Sequence, residues 1–232
     1  MLKQLALVVL LFQVVFLAIG QDKSPVVKDG QFWTSFGSKA KLSKSWQASG
    51  ELAFRANNNW QSANSLFFEA GLKWSKKAWS ASGNFRAVEA YSRKENRWFA
   101  DVNYELKSSK RFDLDARIRA QHSFYSDDKV NETYLRAKIK AKYNIKKNPL
   151  NPIADAELYY NPYITSQAFE VFRWSLGLEF EIIKDVELGL LYRFEREFNV
   201  VAPQQSNILI VAFSHDFGKV YKKKKKKKSG DK

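Results

Sequence analysis

The stretch FDLDARIRAQHSF at residues 112–124 alternates between apolar and polar side chains along most of its length. Similar alternation recurs in YLRAKIKAKYNI (134–145), EVFRWSLGLEFEI (170–182) and VELGLLYRFE (186–195). Successive side chains of a β-strand point to opposite faces, so a period of two predicts strands with one apolar and one polar face.

Two fold classes share this alternation: a soluble β-sandwich and a transmembrane β-barrel. The segments are about ten residues or longer, which suits a tilted membrane strand better than a typical soluble strand. Full charges run through the middle of their polar faces, as a wet or salt-bridged barrel interior allows. Trp46, Trp74 and Trp79 flank short turns, as in an aromatic girdle at a membrane interface. We therefore predict an all-β antiparallel transmembrane barrel, with the sandwich as the alternative.

Eleven candidate strands are separated by connections of alternating length. They are residues 32–42, 46–56, 65–74, 78–91, 97–107, 111–124, 133–145, 153–160, 169–182, 186–197 and 207–217. Bacterial single-chain barrels have even strand counts, so the prediction is 10–12 strands with twelve favoured. An irregular strand in Val26–Gly30 would give twelve, and loss of strand 153–160 would give ten.

The N-terminus predicts export. A short basic start is followed by an apolar run from Leu5 to Ile19, and Ala18-Ile19-Gly20 supplies small residues for cleavage before Gln21. An uncleaved anchor helix is the alternative. The expected organisation is a signal peptide (1–20), a short N-terminal segment (21–30), an outer-membrane barrel (31–218) and a lysine-rich tail (219–232). The chain has no cysteine, which excludes disulfides and thiolate chemistry.

The last predicted strand, residues 207–217, carries aromatics at Phe213 and Phe217. It resembles the terminal-strand signal that the barrel-assembly machinery recognises, although a tail follows it here. This resemblance implies that Phe213 and Phe217 serve assembly and that the barrel-assembly machinery is a partner during biogenesis.

The order and spacing of several short stretches resemble an outer-membrane β-barrel family of Bacteroidota that is catalogued only as a domain of unknown function. These stretches are Phe32-Trp33, ELAFR (51–55), GLKW (71–74), LRAK (135–138), Asn151-Pro152 followed by Glu157, Arg173 through GLEF (177–180), LGLLYR (188–193) and the closing strand. The resemblance implies a barrel in contact with outer-membrane lipid and no known activity.

If the apolar faces meet lipid, the charged faces line the interior. The predicted lumen-lining residues are Arg55, Arg86, Asp101, Glu105, Asp113, Asp115, Arg117, Arg119, Arg136, Lys138, Lys140, Lys142, Glu157, Arg173, Glu179, Arg193 and Glu195. A plausible register sets Arg117 opposite Lys140 and Arg119 opposite Lys138, and it places Arg173 near Glu195. Two interpretations stay open: a salt-bridged plug that rigidifies a narrow barrel, and a cationic constriction that favours anionic solutes.

Catalysis would need a serine, a histidine and an acid or amide within hydrogen-bond reach. The only histidines are His122, beside Ser123, and His215, between Ser214 and Asp216. Neighbours on a strand point to opposite faces, so neither set is assembled locally. We therefore expect no enzyme, with a lipid hydrolase or acyltransferase as the remote alternative. No spacing indicates a metal site or a cofactor.

The run Lys222–Lys228, with Lys232 and Asp231, carries a net +7 of the chain's +15. Such a run stays solvated, and two interpretations compete: a tail without a partner, and a periplasmic tether to anionic envelope polymers. An exported chain meets little nucleic acid, so nucleic-acid binding is not expected. The sequence predicts an outer-membrane barrel that is structural or a restricted channel for small solutes, including anionic ones. The alternative is an envelope binding or assembly protein that uses its loops and lysine tail.

Overall fold

The computed structural model describes residues 26–90, 93–107, 111–126, 129–146, 148–164 and 168–220. The expected signal peptide and the lysine run Lys222–Lys228 lie outside the described residues. Within these ranges, no helix is long and apolar enough to cross a membrane.

The described chain forms eleven β-strands of 10 to 16 residues, close to those that the alternation predicts. They are β1 (Val27–Lys41), β2 (Trp46–Asn57), β3 (Ser62–Lys76), β4 (Trp79–Ala90), β5 (Arg93–Lys107), β6 (Phe112–Tyr125), β7 (Glu132–Tyr143), β8 (Asn151–Tyr160), β9 (Phe169–Ile183), β10 (Val186–Glu197) and β11 (Gln204–Lys219). At roughly 3.3 Å per residue and a tilt of about 40°, such strands are long enough for the apolar band of a membrane barrel.

The strands close into one barrel in chain order. Each strand pairs antiparallel with its sequence neighbours, whereas β1 and β11 pair in parallel. The parallel pairing runs from Val27 opposite Gln204 to Lys41 opposite Lys219. We call this β1–β11 pair the parallel seam.

The favoured count of twelve strands is wrong for the described chain, which has eleven. Val27–Gly30, expected as part of a separate irregular strand, is the beginning of β1 and pairs with Gln204–Asn207 of β11. An odd number of up-and-down strands leaves the first and last pointing in the same direction. Parallel pairing then satisfies the backbone groups of both edges, so closure needs no further strand.

The two ends of the barrel differ in the connections they carry. Tight two-residue turns at Lys77-Ala78 and Lys184-Asp185 lie at one end, together with the ends of β1 and β11. Lys77 and Asp185 adopt positive φ angles of 56° and 65°, which such sharp reversals require. We call this the short-turn end. Val27 lies at the opposite end, next to Gln204.

The outer wall of the barrel is apolar and exposed. Phe36 is 60% exposed and Ile118 57%, and Leu52, Leu72 and Leu176 are also exposed. Such a continuous apolar surface indicates lipid rather than water as the outer solvent, and the closed barrel excludes the sandwich alternative.

Tryptophans lie on the outer wall near the short-turn end. Trp46 is paired with Trp74 across β2 and β3, and Trp79 contacts Tyr104 with ring centroids 4.6 Å apart. All three tryptophans are exposed beside the short turns, the position from which an aromatic girdle would contact lipid head groups.

Candidate functional site

The charged faces of the strands line the barrel interior. Lys140 on β7 reaches Glu179 on β9 at 2.8 Å, and Arg117 on β6 reaches Glu157 on β8 at 2.5 Å. Each pair passes over an intervening strand, which is possible only on the concave side of the wall. By this alternation the structure places the following residues on the inner face: Arg55, Arg86, Asp101, Glu105, Asp113, Asp115, Arg117, Arg119, Arg136, Lys138, Lys140, Lys142, Glu157, Arg173, Glu179, Arg193 and Glu195.

The expected register between β6 and β7 is wrong by two residues. Arg117 lies opposite Lys138 rather than Lys140, and Arg119 lies opposite Arg136 rather than Lys138. The observed register sets Asp113 opposite Lys142 and Asp115 opposite Lys140, and thus places opposite charges across the strand pair near the short-turn end.

Acids on the flanking strands β5 and β8 pair with the positive charges that face each other across β6 and β7. Arg119 makes two hydrogen bonds to Asp101 of β5, at 2.7 and 2.9 Å, and both side chains are about 10% exposed. Lys138 lies 3.2 Å from Asp155 of β8. A planar guanidinium paired bidentately with a carboxylate is a rigid arrangement, so this part of the wall is fixed.

Glu157 is the hub of the central network. Its carboxylate lies 2.5 Å from Arg117, 2.8 Å from Arg136 and 3.8 Å from Arg173, and its side chain is only 3% exposed. Arg173 also pairs with Glu195, as the sequence predicts. A carboxylate shared by three arginines in a nearly dry interior ties β6, β7, β8 and β9 together.

The interior becomes wetter toward the short-turn end. Near this end, the Glu179 carboxylate lies 2.8 Å from Lys140 Nζ and 3.0 Å from Lys142 Nζ, and the Lys140 side chain is 34% exposed. By contrast, Ser175 near the middle of β9 and Ser123 near the opposite end of β6 are almost fully buried. The interior is therefore accessible at the short-turn end and closed from mid-height, which we call the waist, toward the opposite end.

Arginines interspersed with aromatic rings encircle the interior at the waist. We call this set the arginine–aromatic belt; in order from β10 through β1 to β9 it consists of Arg193, Trp33, Arg55, Phe67, Arg86, Phe99, Arg119, Arg136, Tyr159 and Arg173. Guanidinium carbons lie 3.7 to 5.9 Å from the neighbouring ring centroids. Ten of the eleven strands contribute one member each, and β11 contributes the buried apolar Ile208 instead.

Most arginines of the belt have an acidic partner. Arg86 pairs with Glu69, Arg119 with Asp101, Arg136 with Glu157, and Arg173 with Glu195. Nearby Arg97, one strand from the belt's Arg86, pairs with Glu95 at 2.5 Å.

Arg55 and Arg193 are exceptions among the described residues, since neither has an ion pair within 4.0 Å. Arg55 lies 4.1 Å from the Trp33 ring and 4.9 Å from the Phe67 ring, and its Nε is buried with no hydrogen-bond partner. Arg193 donates to Ser175 Oγ at 2.9 Å and lies 5.5 Å from the same Trp33 ring. The belt therefore contains two arginines without an ion pair, one on β2 and one on β10, and both lie beside Trp33.

Several interior residues were not anticipated from the sequence. Glu69, Glu95, Arg97 and Asp155 lie on polar faces that the alternation already defines, so extending the pattern strand by strand would have found them. The belt aromatics Trp33, Phe67 and Phe99 occupy inner positions where a polar residue is expected. Phe67 sits in the apolar run Leu66–Phe68, where no alternation marks which side chain faces inward.

The two histidines lie on the outer wall. His122 Nδ1 is 2.7 Å from Thr133 Oγ1, whereas Ser123 faces inward and binds Arg97 at 3.1 Å. His215 contacts the Phe217 ring at 4.2 Å. His122 and Ser123, like His215 and its neighbours on β11, point to opposite faces, so neither histidine is joined to an adjacent serine.

The two aromatics of the closing strand also face outward. Phe213 stacks on Phe36 of β1 across the parallel seam, with ring centroids 5.1 Å apart, and Phe217 is exposed. Among the described residues, no group of three or more His, Asp or Glu side chains is arranged to hold a metal ion.

Comparisons with known proteins identify a family and a fold. A family model described as a protein of unknown function (DUF2490) matches residues 30–206. A search of curated protein sequences finds no match.

Two solved structures share the barrel architecture. A bacterial polysaccharide outer-membrane secretin superposes with a TM-score of 0.51 at 9% identity, over 73% of this chain and 63% of that one. This chain therefore spans less than two thirds of that protein's length. The NanC porin superposes with a TM-score of 0.50 at 12% identity, over 72% of this chain and 85% of that one. At these identities the likeness shows the fold alone, a porin-like β-barrel.

Proposed function

Because the chain belongs to the DUF2490 family, whose function is unknown, we propose from its interior that it is an outer-membrane barrel acting as a restricted, anion-preferring channel. The arginine–aromatic belt carries this proposal. It fixes guanidinium groups around a narrow waist, and two of them have no acidic partner.

The electrostatic reasoning follows from burial. A charge in a narrow, poorly hydrated passage acts on a passing ion more strongly than the same charge in bulk water. Carboxylates offset most of the belt's positive charge, while Arg55 and Arg193 remain unpaired. A small anion at the waist is therefore favoured over a cation of the same size.

Planar-bilayer recording of the purified, folded protein under a KCl gradient tests this proposal. We expect a small conductance whose reversal potential indicates anion preference. Arg55→Gln should lower the anion-to-cation permeability ratio by roughly twofold or more, since it removes an unpaired charge without orphaning an acid. Lys44→Gln removes the same charge from an exposed turn and is the matched control.

A sealed structural barrel is the second candidate. The observation that favours it is the near-complete burial of Glu157 and Ser175 inside the barrel and of Ser123 near the end opposite the short turns. Folded protein that inserts into bilayers and never conducts, with or without anionic solutes, would support this candidate and contradict the channel.

Two partner proposals accompany the channel. The outward-facing Phe213 and Phe217 of β11 are proposed to be recognised by the barrel-assembly machinery, and the protein is proposed to reside in the outer membrane with its tail in the periplasm. Lys222–Lys228 is proposed as a tether to anionic envelope polymers. Deleting residues 222–232 should then weaken peptidoglycan retention, and unchanged retention would count against the tether.

A further inference from the structure

The described interior contains a sector where two arginines lie close together without an ion pair. Trp33 on β1 is approached by Arg55 from β2 and by Arg193 from β10, with both guanidinium carbons within 6 Å of the ring centroid. Neither arginine makes an ion pair with a described acid. We call Arg55, Trp33 and Arg193 the open sector of the belt.

Two acids near the open sector are already held by other cations. Glu195 is paired with Arg173, and Asp155 lies 3.2 Å from Lys138. Arg193 reaches Asp155 only indirectly, through Ser175 Oγ, which accepts from Arg193 at 2.9 Å and lies 3.2 Å from Asp155 Oδ1. Glu51 of β2 also faces inward, but neither Arg55 nor Arg193 makes an ion pair with it in the described interior.

A buried N–H donor without an acceptor is costly. Arg55 Nε is buried and has no hydrogen-bond partner, while the flat faces of the side chain are covered by Trp33 and Phe67. A guanidinium has only donors, so the group that would satisfy it must bring acceptor oxygens and negative charge. Stacking on the rings leaves the donor edge as the part available to such a group.

We propose that the open sector is a binding site for an oxyanion, a carboxylate or phosphate group carried by a small solute. This inference rests on the proposed channel function and names the chemical class of its solute. The planar fork of a guanidinium matches two oxygens of one carboxylate or phosphate, which a spherical chloride ion cannot provide. The site therefore distinguishes oxyanions from chloride at the level of the belt.

Binding in detergent tests the site without requiring conduction. Isothermal titration of the full-length folded protein with inorganic phosphate, and separately with gluconate, in 150 mM NaCl should show saturable binding. Arg55→Gln and Arg193→Gln should each raise Kd tenfold or more. Lys73→Gln, which removes an inward-facing lysine of β3 outside the belt, should leave Kd unchanged within about twofold.

Arg55→Lys separates charge from geometry. It keeps the positive charge and loses the planar fork, so it should bind oxyanions nearly as weakly as Arg55→Gln. Heat-modifiability on a denaturing gel verifies that every variant is folded. The lysine tail is present in all variants, so any anion binding by the tail is the same in each. Binding of phosphate alone points to a phosphorylated solute, and binding of gluconate alone to an organic acid.

Two outcomes overturn the site. Oxyanion binding that Arg55→Gln and Arg193→Gln leave unaltered would mean that the anion binds elsewhere, and no binding to the folded wild type would mean that the sector is structural. Both results are obtained without bilayer recording. A barrel that conducts but does not bind oxyanions at the open sector would contradict the site alone. A barrel that binds oxyanions but does not conduct would contradict the channel alone.

Discussion

At the scale of single residues, the position of a side chain along its strand decides what it can do. Ser123 and His122 are adjacent in the chain, yet one binds an arginine inside the barrel and the other contacts Thr133 on the lipid-facing wall. The same rule brings Glu157 to the inner face, where its environment is set by residues of three other strands.

Glu157→Gln should destabilise the barrel strongly. The substitution keeps the shape and removes the charge that Arg117, Arg136 and Arg173 share, so three guanidinium groups are left without it in a nearly dry interior. Breaking a buried ion pair from one side costs about 3–5 kcal/mol. Urea unfolding in lipid vesicles, followed by tryptophan fluorescence, measures the loss.

The matched control is Glu89→Gln. Glu89 pairs with Lys94 at 3.4 Å on the exposed outer surface, where an ion pair contributes about 0–1 kcal/mol. Equal unfolding free energies for the two variants would show that the Glu157 network does not stabilise the fold.

At the scale of elements, the parallel seam is open to a direct chemical test. The natural chain has no cysteine, so a double variant contains a single possible disulfide. Ser35 and Ala212 are register partners across the seam, and Cα atoms of such partners lie about 5 Å apart, within disulfide range. Ser35→Cys with Ala212→Cys should cross-link on mild oxidation, detected as a gel shift that a reductant reverses.

Ser35→Cys with Ser206→Cys is the control for this experiment. Ser206 lies on the same strand and the same face, but six residues from Ala212, or roughly 20 Å along β11. Cross-linking of the control pair, or failure of the test pair in folded protein, would require a different closure of the barrel.

The eleven strands could be predicted because alternation is a local signal. Residues 112–124 and 186–195 show their two faces without reference to any other strand. The seam could not be predicted in this way, since the pairing of Val27 with Gln204 joins the two ends of the described barrel. The expected count of twelve therefore came from the even strand numbers of bacterial barrels, whereas the described barrel has eleven strands.

The site was predictable to the same degree. The inward-facing charges follow from the strand faces, but their partners depend on the register between strands. An error of two residues in the predicted register placed Lys140 opposite Arg117, whereas the structure has Lys138 there. The belt was missed because Trp33, Phe67 and Phe99 break the polar pattern of the inner face. These rings belong to the site because arginines of neighbouring strands stack on them, and the pattern of a single strand does not reveal such contacts.

At the scale of the whole molecule, the two chain ends leave the barrel on opposite sides. Val27 lies at the end opposite the short turns, and Lys219 lies at the short-turn end. If short turns face the periplasm, as in bacterial barrels, an epitope inserted directly before Val27 should be labelled by antibody on intact cells. An epitope after Lys232 should be labelled only after the outer membrane is permeabilised.

The reverse labelling pattern would mean that the barrel is inserted with its short turns outward. Equal labelling of both epitopes on intact cells would contradict the parallel seam, which places Val27 and Lys219 at opposite ends of the barrel. An epitope placed in the turn between β1 and β2 provides an internal control, since it must behave as the C-terminal one does.

The parallel seam also limits how this chain could be rearranged. In a barrel whose first and last strands are antiparallel, a short linker can join the termini and new ends can be opened elsewhere. Here such a linker would have to cross the full height of the wall, either through an interior filled with ion pairs or along a surface bathed in lipid. Circular permutants of this barrel should therefore not fold, and its strand order has a single workable starting point.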